Sequence, residues 1–135
     1  MPQEWKRGEH YPAIVTAVFD GDTVKVEWSV ASLRGIRPDR IRLAGIDAAE
    51  MFPRPSQAAA TAKLALSVFA LWQTCVVVPT RSWPDCYGRI IARLLIHGVD
   101  ASTELLRQGV VTKYNPVRRQ ARAVIARESR AQWGM

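Results

Sequence analysis

Residues 22–30 constrain this chain more than any other stretch. Val24, Val26, Trp28 and Val30 alternate with Thr23, Lys25, Glu27 and Ser29. A period of two puts successive side chains on opposite faces, so the segment is a strand with one apolar face to bury. Such a strand needs hydrogen-bonding neighbours and a layer over that face. Residues 13–19, rich in Ile, Val and Phe, supply one neighbour, and Asp20-Gly21-Asp22 between the two segments is hairpin-turn chemistry. Residues 40–46, 75–80 and 88–96 are further β candidates, the last carrying Arg89, Ile91, Arg93 and Leu95 at alternate positions. About five strands are expected.

Helix signals fall between and after them. Ser56 caps a helix that starts on Ala58-Ala59-Ala60, and Leu64, Val68 and Leu71 recur at spacings of four and three, predicting a stripe that faces a core. Asp100 or Ser102 opens a shorter helix with Arg107 in its last turn and Gly109 as its stop. Asn115-Pro116 supplies a cap and a first-turn proline for a third helix reaching about Trp133, with Ala121, Val124, Ile125 and Trp133 inward and Arg118, Arg119, Arg122 and Arg130 outward. The chain has no internal repeat, and its widest loops are residues 32–39 and 51–55, with a turn at 81–86.

At 135 residues the chain has room for one domain. It can hide roughly two-thirds of its unfolded surface and so needs no disulfide or structural metal to fold. The expected division is an N-terminal extension, 1–12, and one domain, 13–135. No apolar run approaches the roughly 20 residues of a membrane-spanning helix, so no membrane association is expected. The N-terminus lacks the basic start and apolar core of a secretory signal. That points to the cytoplasm as the chain is written, with a trimmed or otherwise delivered mature form left open.

The formal net charge is +7, with a sequence pI near 10.1, which makes an acidic polymer the first partner to consider. Residues 107–135 hold seven basic side chains and one acid, a net of +6, leaving +1 for the rest. A solubilising helix face and a phosphate-binding face both account for this tail. Cys75 and Cys86 have no metal-type spacing and form either one disulfide or two thiols. His10 and His97 stand alone, so nothing supports a zinc site, and His97 before Gly98 reads as a turn histidine.

Four acids sit at strand ends: Asp20 and Asp22 around a glycine, then Asp47 and Glu50 after the 40–46 strand. Carboxylates at one sheet edge repel one another unless a cation intervenes, and hard oxygen ligands suit calcium or magnesium. Asp-Gly-Asp also reads simply as a turn, and Val24 at the third ligand position excludes an EF-hand loop. Arg42 lies on the strand that delivers Asp47, and Arg89 follows Tyr87-Gly88. A guanidinium can grip phosphate oxygens through two parallel hydrogen bonds, and either arginine could equally form a surface ion pair.

Phe19-Asp20-Gly21-Asp22-Thr23-Val24, Arg42-Leu43-Ala44-Gly45-Ile46-Asp47-Ala48-Ala49-Glu50, Asp85-Cys86-Tyr87-Gly88-Arg89 and Leu105-Leu106-Arg107-Gln108-Gly109 appear in this order. Together they resemble the signature of the staphylococcal-nuclease-like (thermonuclease) family, over about residues 13–133. The resemblance implies an α+β fold: an OB-fold, a five-stranded β-barrel with about three packed α-helices. It also implies cleavage of DNA or RNA phosphodiesters with Ca2+, breaking the bond to the 5′ oxygen and leaving 3′-phosphate ends. By the same resemblance Asp22, Asp47 and the Ala48 carbonyl are metal ligands, and Asp20 is an outer-shell acid. Glu50 is the general base, Arg42 and Arg89 bind phosphate, and Tyr87, Lys113 and Tyr114 contact substrate.

Some residues depart from the family pattern. Ala48-Ala49 replaces Thr-Pro, the 51–55 loop is short, and Tyr114 is one position from the family's base-contacting tyrosine. Trp83 and Cys86 are not family features, and Trp83 reads first as packed on its own turn and second as a stacking platform for an unpaired base. The expected protein is a monomeric, sequence-nonspecific nuclease acting on DNA or RNA, with an inhibitor protein as an open partner. The alternative is a noncatalytic nucleic-acid or protein-binding module of the same fold. A cationic structural protein would leave the pattern of acids and arginines to chance.

Overall fold

Val24, Val26 and Trp28 are buried on one strand and Lys25 and Glu27 face water, as the alternation predicts, whereas Thr23 from the polar set is buried at the barrel end and Val30 lies past the strand and is exposed. The computed structural model describes residues 5–30, 38–51 and 56–117. In chain order these form β1 (Tyr11–Asp20), β2 (Thr23–Trp28), β3 (Arg40–Leu43), β4 (Ile46–Asp47), α1 (Gln57–Ala70), β5 (Thr74–Pro79), β6 (Ile90–Ile96), β7 (Val99–Asp100), α2 (Ala101–Gln108) and β8 (Thr112–Lys113).

The main sheet runs β3-β2-β1-β5-β6, and parallel pairing of β3 with β6 (Ile41 with Ile90, Leu43 with Ala92) closes it into a five-stranded barrel. Closure removes the exposed edges an open sheet would leave. The architecture is α+β with the expected OB-like barrel. β7 extends β6, while β4 and β8 form a separate two-stranded pair. Val15, Val24, Ile41, Leu43, Val77, Ile90, Leu94 and Leu105 fill the interior. Trp5, which precedes β1, is also buried there, and its indole N–H donates to the Arg81 carbonyl at 3.1 Å.

The 40–46 strand expected from sequence divides in two. Ala44 and Gly45 form a turn with Gly45 at φ +83°, a conformation that costs glycine no steric penalty. The break turns β4 away from the barrel to pair with β8 and carries Asp47 into a buried position. At the other hairpin, Asp20 pairs with Thr23, leaving Gly21-Asp22 as a two-residue loop.

Two helices are present among the described residues, fewer than the three expected. Asn115 Oδ1 accepts the Val117 N–H at 3.0 Å, as a cap would, and the remainder of the expected third helix, with Ala121, Val124, Ile125, Trp133 and its arginines, lies outside the described residues. The caps of the other two helices form as their residue types dictate. Ser56 Oγ accepts the Ala59 N–H, Asp100 accepts the Ser102 N–H, and Gly109 ends α2 in the left-handed region.

The facing of α1 differs from expectation. Leu64 and Val68 are 64% and 79% exposed, and the buried positions are Ala59, Ala62, Leu66 and Ala70. The cause is distance. A Cβ placed on Gly21 would lie 2.5 Å from the Ala62 Cβ and 2.8 Å from the Ala48 Cβ, so the helix sits almost on the β1–β2 turn. Only small side chains fit that seat, and the larger Leu64 and Val68 are turned outward.

Candidate active site

The β1–β2 turn, the end of β4 and the start of β6 meet at one end of the barrel. In the turn, Asp20 Oδ1 accepts the Asp22 N–H at 3.1 Å, which fixes the loop and aims Asp22 inward. Asp22 Oδ2 accepts the Ala48 N–H at 2.9 Å and Oδ1 accepts the Thr23 hydroxyl at 3.0 Å. Asp47 reaches the same point from β4. Between the two carboxylates lies Arg42, whose Nη2 is 2.9 Å from Asp47 Oδ1 and 3.5 Å from Asp22 Oδ2, while Nη1 donates to the Leu43 carbonyl at 2.8 Å. All three side chains are buried.

Arg89 comes from just before β6. Its Nε donates to Asp85 Oδ2 at 2.8 Å, and Asp85 Oδ1 accepts the backbone N–H groups of Arg89 and Tyr87, each at 2.9 Å. Arg89 Nη1 also reaches Thr23 Oγ1 at 3.3 Å, so one chain of polar contacts runs from Asp85 through Arg89 and Thr23 to Asp22, Arg42 and Asp47. Burial alone would raise the Asp85 pKa, but these hydrogen bonds and the Arg89 charge outweigh it and hold the carboxyl below its usual range. Asp22 moves the other way. Burial and its hydrogen bond with Asp20 raise its pKa against the pull of Arg42.

Apart from Thr23 and Asp47, which lie behind the walls, these residues line two adjoining cavities of about 380 Å³ each. One is walled by Asp20, Asp22, Arg42, Ala48, Glu50 and Arg89. The other includes Arg42, Arg81, Asp85, Tyr87, Arg89 and Tyr114. Arg42, Tyr87 and Arg89 belong to both. Of the residues singled out from sequence, Asp20, Asp22, Arg42, Asp47, Ala48, Glu50, Tyr87 and Arg89 are thus brought to one place, and Tyr114 to its rim. Lys113 is exposed on β8 and lines neither cavity.

Sequence reasoning assigned no role to Asp85 or Thr23. Asp85 has a local signal, an aspartate three residues before the left-handed Gly88, as type I turns favour. Thr23 has none: its hydroxyl matters only because β6 brings Arg89 beside it.

The donors present suit a hard divalent cation better than a soft one. Among the described residues, five acids (Asp20, Asp22, Asp47, Glu50 and Asp85) stand here against three arginines (Arg42, Arg81 and Arg89), an excess of two acids within a chain of net charge +7. Burial and the neighbouring Asp20 make the charged form of Asp22 costly. No group of three His, Cys, Asp or Glu side chains stands together as a ready cage among the described residues, so a cation here would need the Ala48 carbonyl and water beside Asp22 and Asp47.

A closed OB-like barrel whose end gathers buried carboxylates and two arginines is the arrangement of a nuclease-like fold. A family model described as staphylococcal nuclease homologue matches residues 40–133, and the chain belongs to that family. The match begins at β3 and so covers Arg42, Asp47, Glu50, Asp85 and Arg89, while Asp20 and Asp22 precede it. No curated protein matches the chain.

Proposed function

We propose that this protein is a calcium-dependent, sequence-nonspecific nuclease that hydrolyses phosphodiester bonds of DNA or RNA at the 5′-oxygen side and leaves 3′-phosphate ends. The observation that carries the reading is the convergence of Asp22 and Asp47 on Arg42 beside the cavity that Glu50 and Arg89 also line. Structural charge networks are normally neutral, because an uncompensated buried carboxylate costs several kcal/mol. Among the described residues this one holds more acids than arginines, in the position where a polyanionic substrate would have to bind.

Asp22, Asp47 and the Ala48 carbonyl would hold calcium, with Asp20 acting through water. When bound, the ion supplies positive charge that polarises a nonbridging phosphate oxygen. Glu50 orients a water opposite the leaving 5′ oxygen and takes its proton on a carboxylate oxygen as the water oxygen bonds to phosphorus and the bond to the 5′ oxygen breaks, the released 5′ oxygen taking a proton from solvent. Arg42 and Arg89 donate to phosphate oxygens as charge moves onto them, and neither can lose its own proton at working pH. Asp85 holds Nε of Arg89 and so fixes where the guanidinium stands at the cavity wall. Phosphate contacts of this kind carry no base information, which accounts for a lack of sequence preference.

The test is cleavage of plasmid, single-stranded DNA and RNA with calcium or with chelator, by wild type, Glu50→Gln and Arg89→Ala. The proposal expects cleavage that chelator abolishes and losses on the order of 100-fold in each variant, the cost of removing one preorganised group. Chelator-insensitive cleavage, or equal cleavage by all three proteins, would overturn it. Binding with no cleavage under any condition would establish the noncatalytic module in its place.

A further inference from the structure

We infer that the Arg81–Trp83 turn is a further nucleotide subsite, in which Trp83 stacks on an unpaired base and Arg81 holds that nucleotide's phosphate. This deepens the reading above and rests on it for the direction in which the strand runs. The turn leads from β5 toward Asp85 and stands beside the cleft, since Arg81 lines the same cavity as Tyr87, Arg89 and Tyr114. Trp83 is 61% exposed, although an indole packed on its own loop would be hidden. The expectation of a loop-packed tryptophan therefore holds only for one face, which the Arg81 guanidinium covers with its carbon 5.7 Å from the ring centroid.

That geometry is already ordered. Arg81 Nε donates to the Trp83 carbonyl at 3.2 Å, and the Arg81 carbonyl accepts the indole N–H of buried Trp5 at 3.1 Å. The two terminal nitrogens of Arg81 have no partner among the described residues. A second pair repeats the arrangement, with Arg89 5.2 Å from the ring centroid of Tyr87, itself 75% exposed. Arg81, Tyr87 and Arg89 line one cavity, and Trp83 stands beside it through its contact with Arg81, so two exposed aromatic rings, each with a guanidinium against it, accompany that cavity. Alternating π-faces and cations are what a single strand offers partners to, base by base and phosphate by phosphate. A duplex keeps its bases stacked inward and presents no free face to Trp83. The subsite therefore selects single-stranded nucleic acid, or locally opened duplex, over closed duplex.

The experiment compares Trp83→Ala, Trp83→Phe and Arg81→Ala with wild type. Each is measured on a fluorescently labelled ten-residue thymidine oligonucleotide, a thymidine dinucleotide and a closed duplex, by KM where cleavage occurs and by anisotropy Kd in Glu50→Gln where it is suppressed. The expected result is a weakening of about tenfold for the oligonucleotide in Trp83→Ala. Trp83→Phe should recover most of it, Arg81→Ala should reduce the salt dependence of oligonucleotide binding, and dinucleotide and duplex should be unaffected. An unchanged oligonucleotide KM and Kd in Trp83→Ala, or an equal loss on the dinucleotide, would overturn the subsite. Trp83 is exposed, so the variant keeps its core, and thermal melting checks this. If the protein binds without cleaving, the anisotropy arm still decides the subsite, and only the nuclease reading falls.

Discussion

Replacing Gly21 with alanine puts one methyl group between the three parts that build the site. Gly21 is not required for its backbone angles, since its φ lies outside the left-handed region that other glycines of the chain occupy. It is required for space. The added carbon would meet the Cβ atoms of Ala62 and Ala48 at 2.5 and 2.8 Å, where carbons normally pack at about 3.5–4.0 Å. Neither neighbour is the tip of a flexible side chain, so α1 or the β1–β2 turn has to retreat by about 1 Å. Overpacking of this kind costs about 1–3 kcal/mol, which for a domain of this size lowers Tm by about 4–12 °C.

Activity should suffer more than stability. Asp20 and Asp22 flank the residue that moves, and a displacement of about 1 Å in a positioned group can cost on the order of 100-fold in rate. The assay is thermal melting together with calcium-dependent cleavage of single-stranded DNA, for Gly21→Ala, Ala62→Gly and the double variant. Ala62→Gly alone loses about 1 kcal/mol of helix propensity but removes the nearer clash, so the two changes should couple favourably. An alanine variant that melts within 1 °C of wild type, as judged against the overpacking expectation, or strict additivity in the double variant, would refute the close seating of α1.

Asp85→Asn should lower kcat/KM by about thirtyfold, because a charge-assisted hydrogen bond worth about 2 kcal/mol no longer fixes Arg89, and the loss should vanish in an Arg89→Ala background. Losses that add in the double variant would contradict the positioning role. Since the folded Asp85 pKa is depressed, its stabilisation should be complete above the unfolded value of about 3.9 and disappear as pH falls through the lower folded value, so the Tm gap between wild type and Asp85→Asn should close on acidification. Asp22 has a raised pKa, chiefly from burial, so protons should compete with calcium there at higher pH than for an ordinary carboxylate, and titration calorimetry should find weaker binding at about pH 5 than at about pH 7.5. A Kd that does not change over that interval would contradict it. A thiol reagent should label exposed Cys86 alone in the native protein, because burial pushes the Cys75 thiol up to about 12, and oligonucleotide should slow the labelling since Cys86 lines the cleft. Two rapidly reacting thiols would refute this.

The parts of the molecule legible in the sequence are those settled by local chemistry. Ser56, Asp100 and Gly109 cap their helices because their side chains, or the lack of one, satisfy backbone groups within a few residues. The β2 alternation fixed which face is buried for the same reason, since a strand cannot hide its apolar residues any other way. The buried face of α1 was not legible. Leu64 and Val68 have the right spacing, but the turn of the helix seated on the β1–β2 hairpin is set by Gly21 and Ala48, which are distant in sequence and leave room there only for Ala62, so Leu66 and not Leu64 or Val68 is turned into the core. Asp22, Arg42, Asp47, Glu50 and Arg89 could be picked out together because the order of four motifs carries information that no single acid or arginine does. Thr23 could not, because its role arises from a contact with Arg89 that exists only once β3 and β6 pair.

The charge pattern assigns an order to the proposed binding events. The chain as a whole is cationic, so a polyanion is drawn toward it from any direction. At the end of the barrel the balance among the described residues is the reverse, because Asp20, Asp22, Asp47 and Glu50 outnumber Arg42 and Arg89 beside them. A phosphate approaching that end without a cation meets net repulsion at short range, in a partly buried place where screening by salt is weak. In the proposed reading calcium would take Asp22 and Asp47 as ligands and offset the charge of Asp20 and Glu50, which would leave Arg42 and Arg89 to face the phosphate. Cation binding should therefore strengthen substrate binding, and by linkage substrate should strengthen cation binding by the same factor. Arg42 is the residue on which this turns: it is ion-paired to both carboxylates in the structure described here, and it must release part of that pairing to donate to a phosphate.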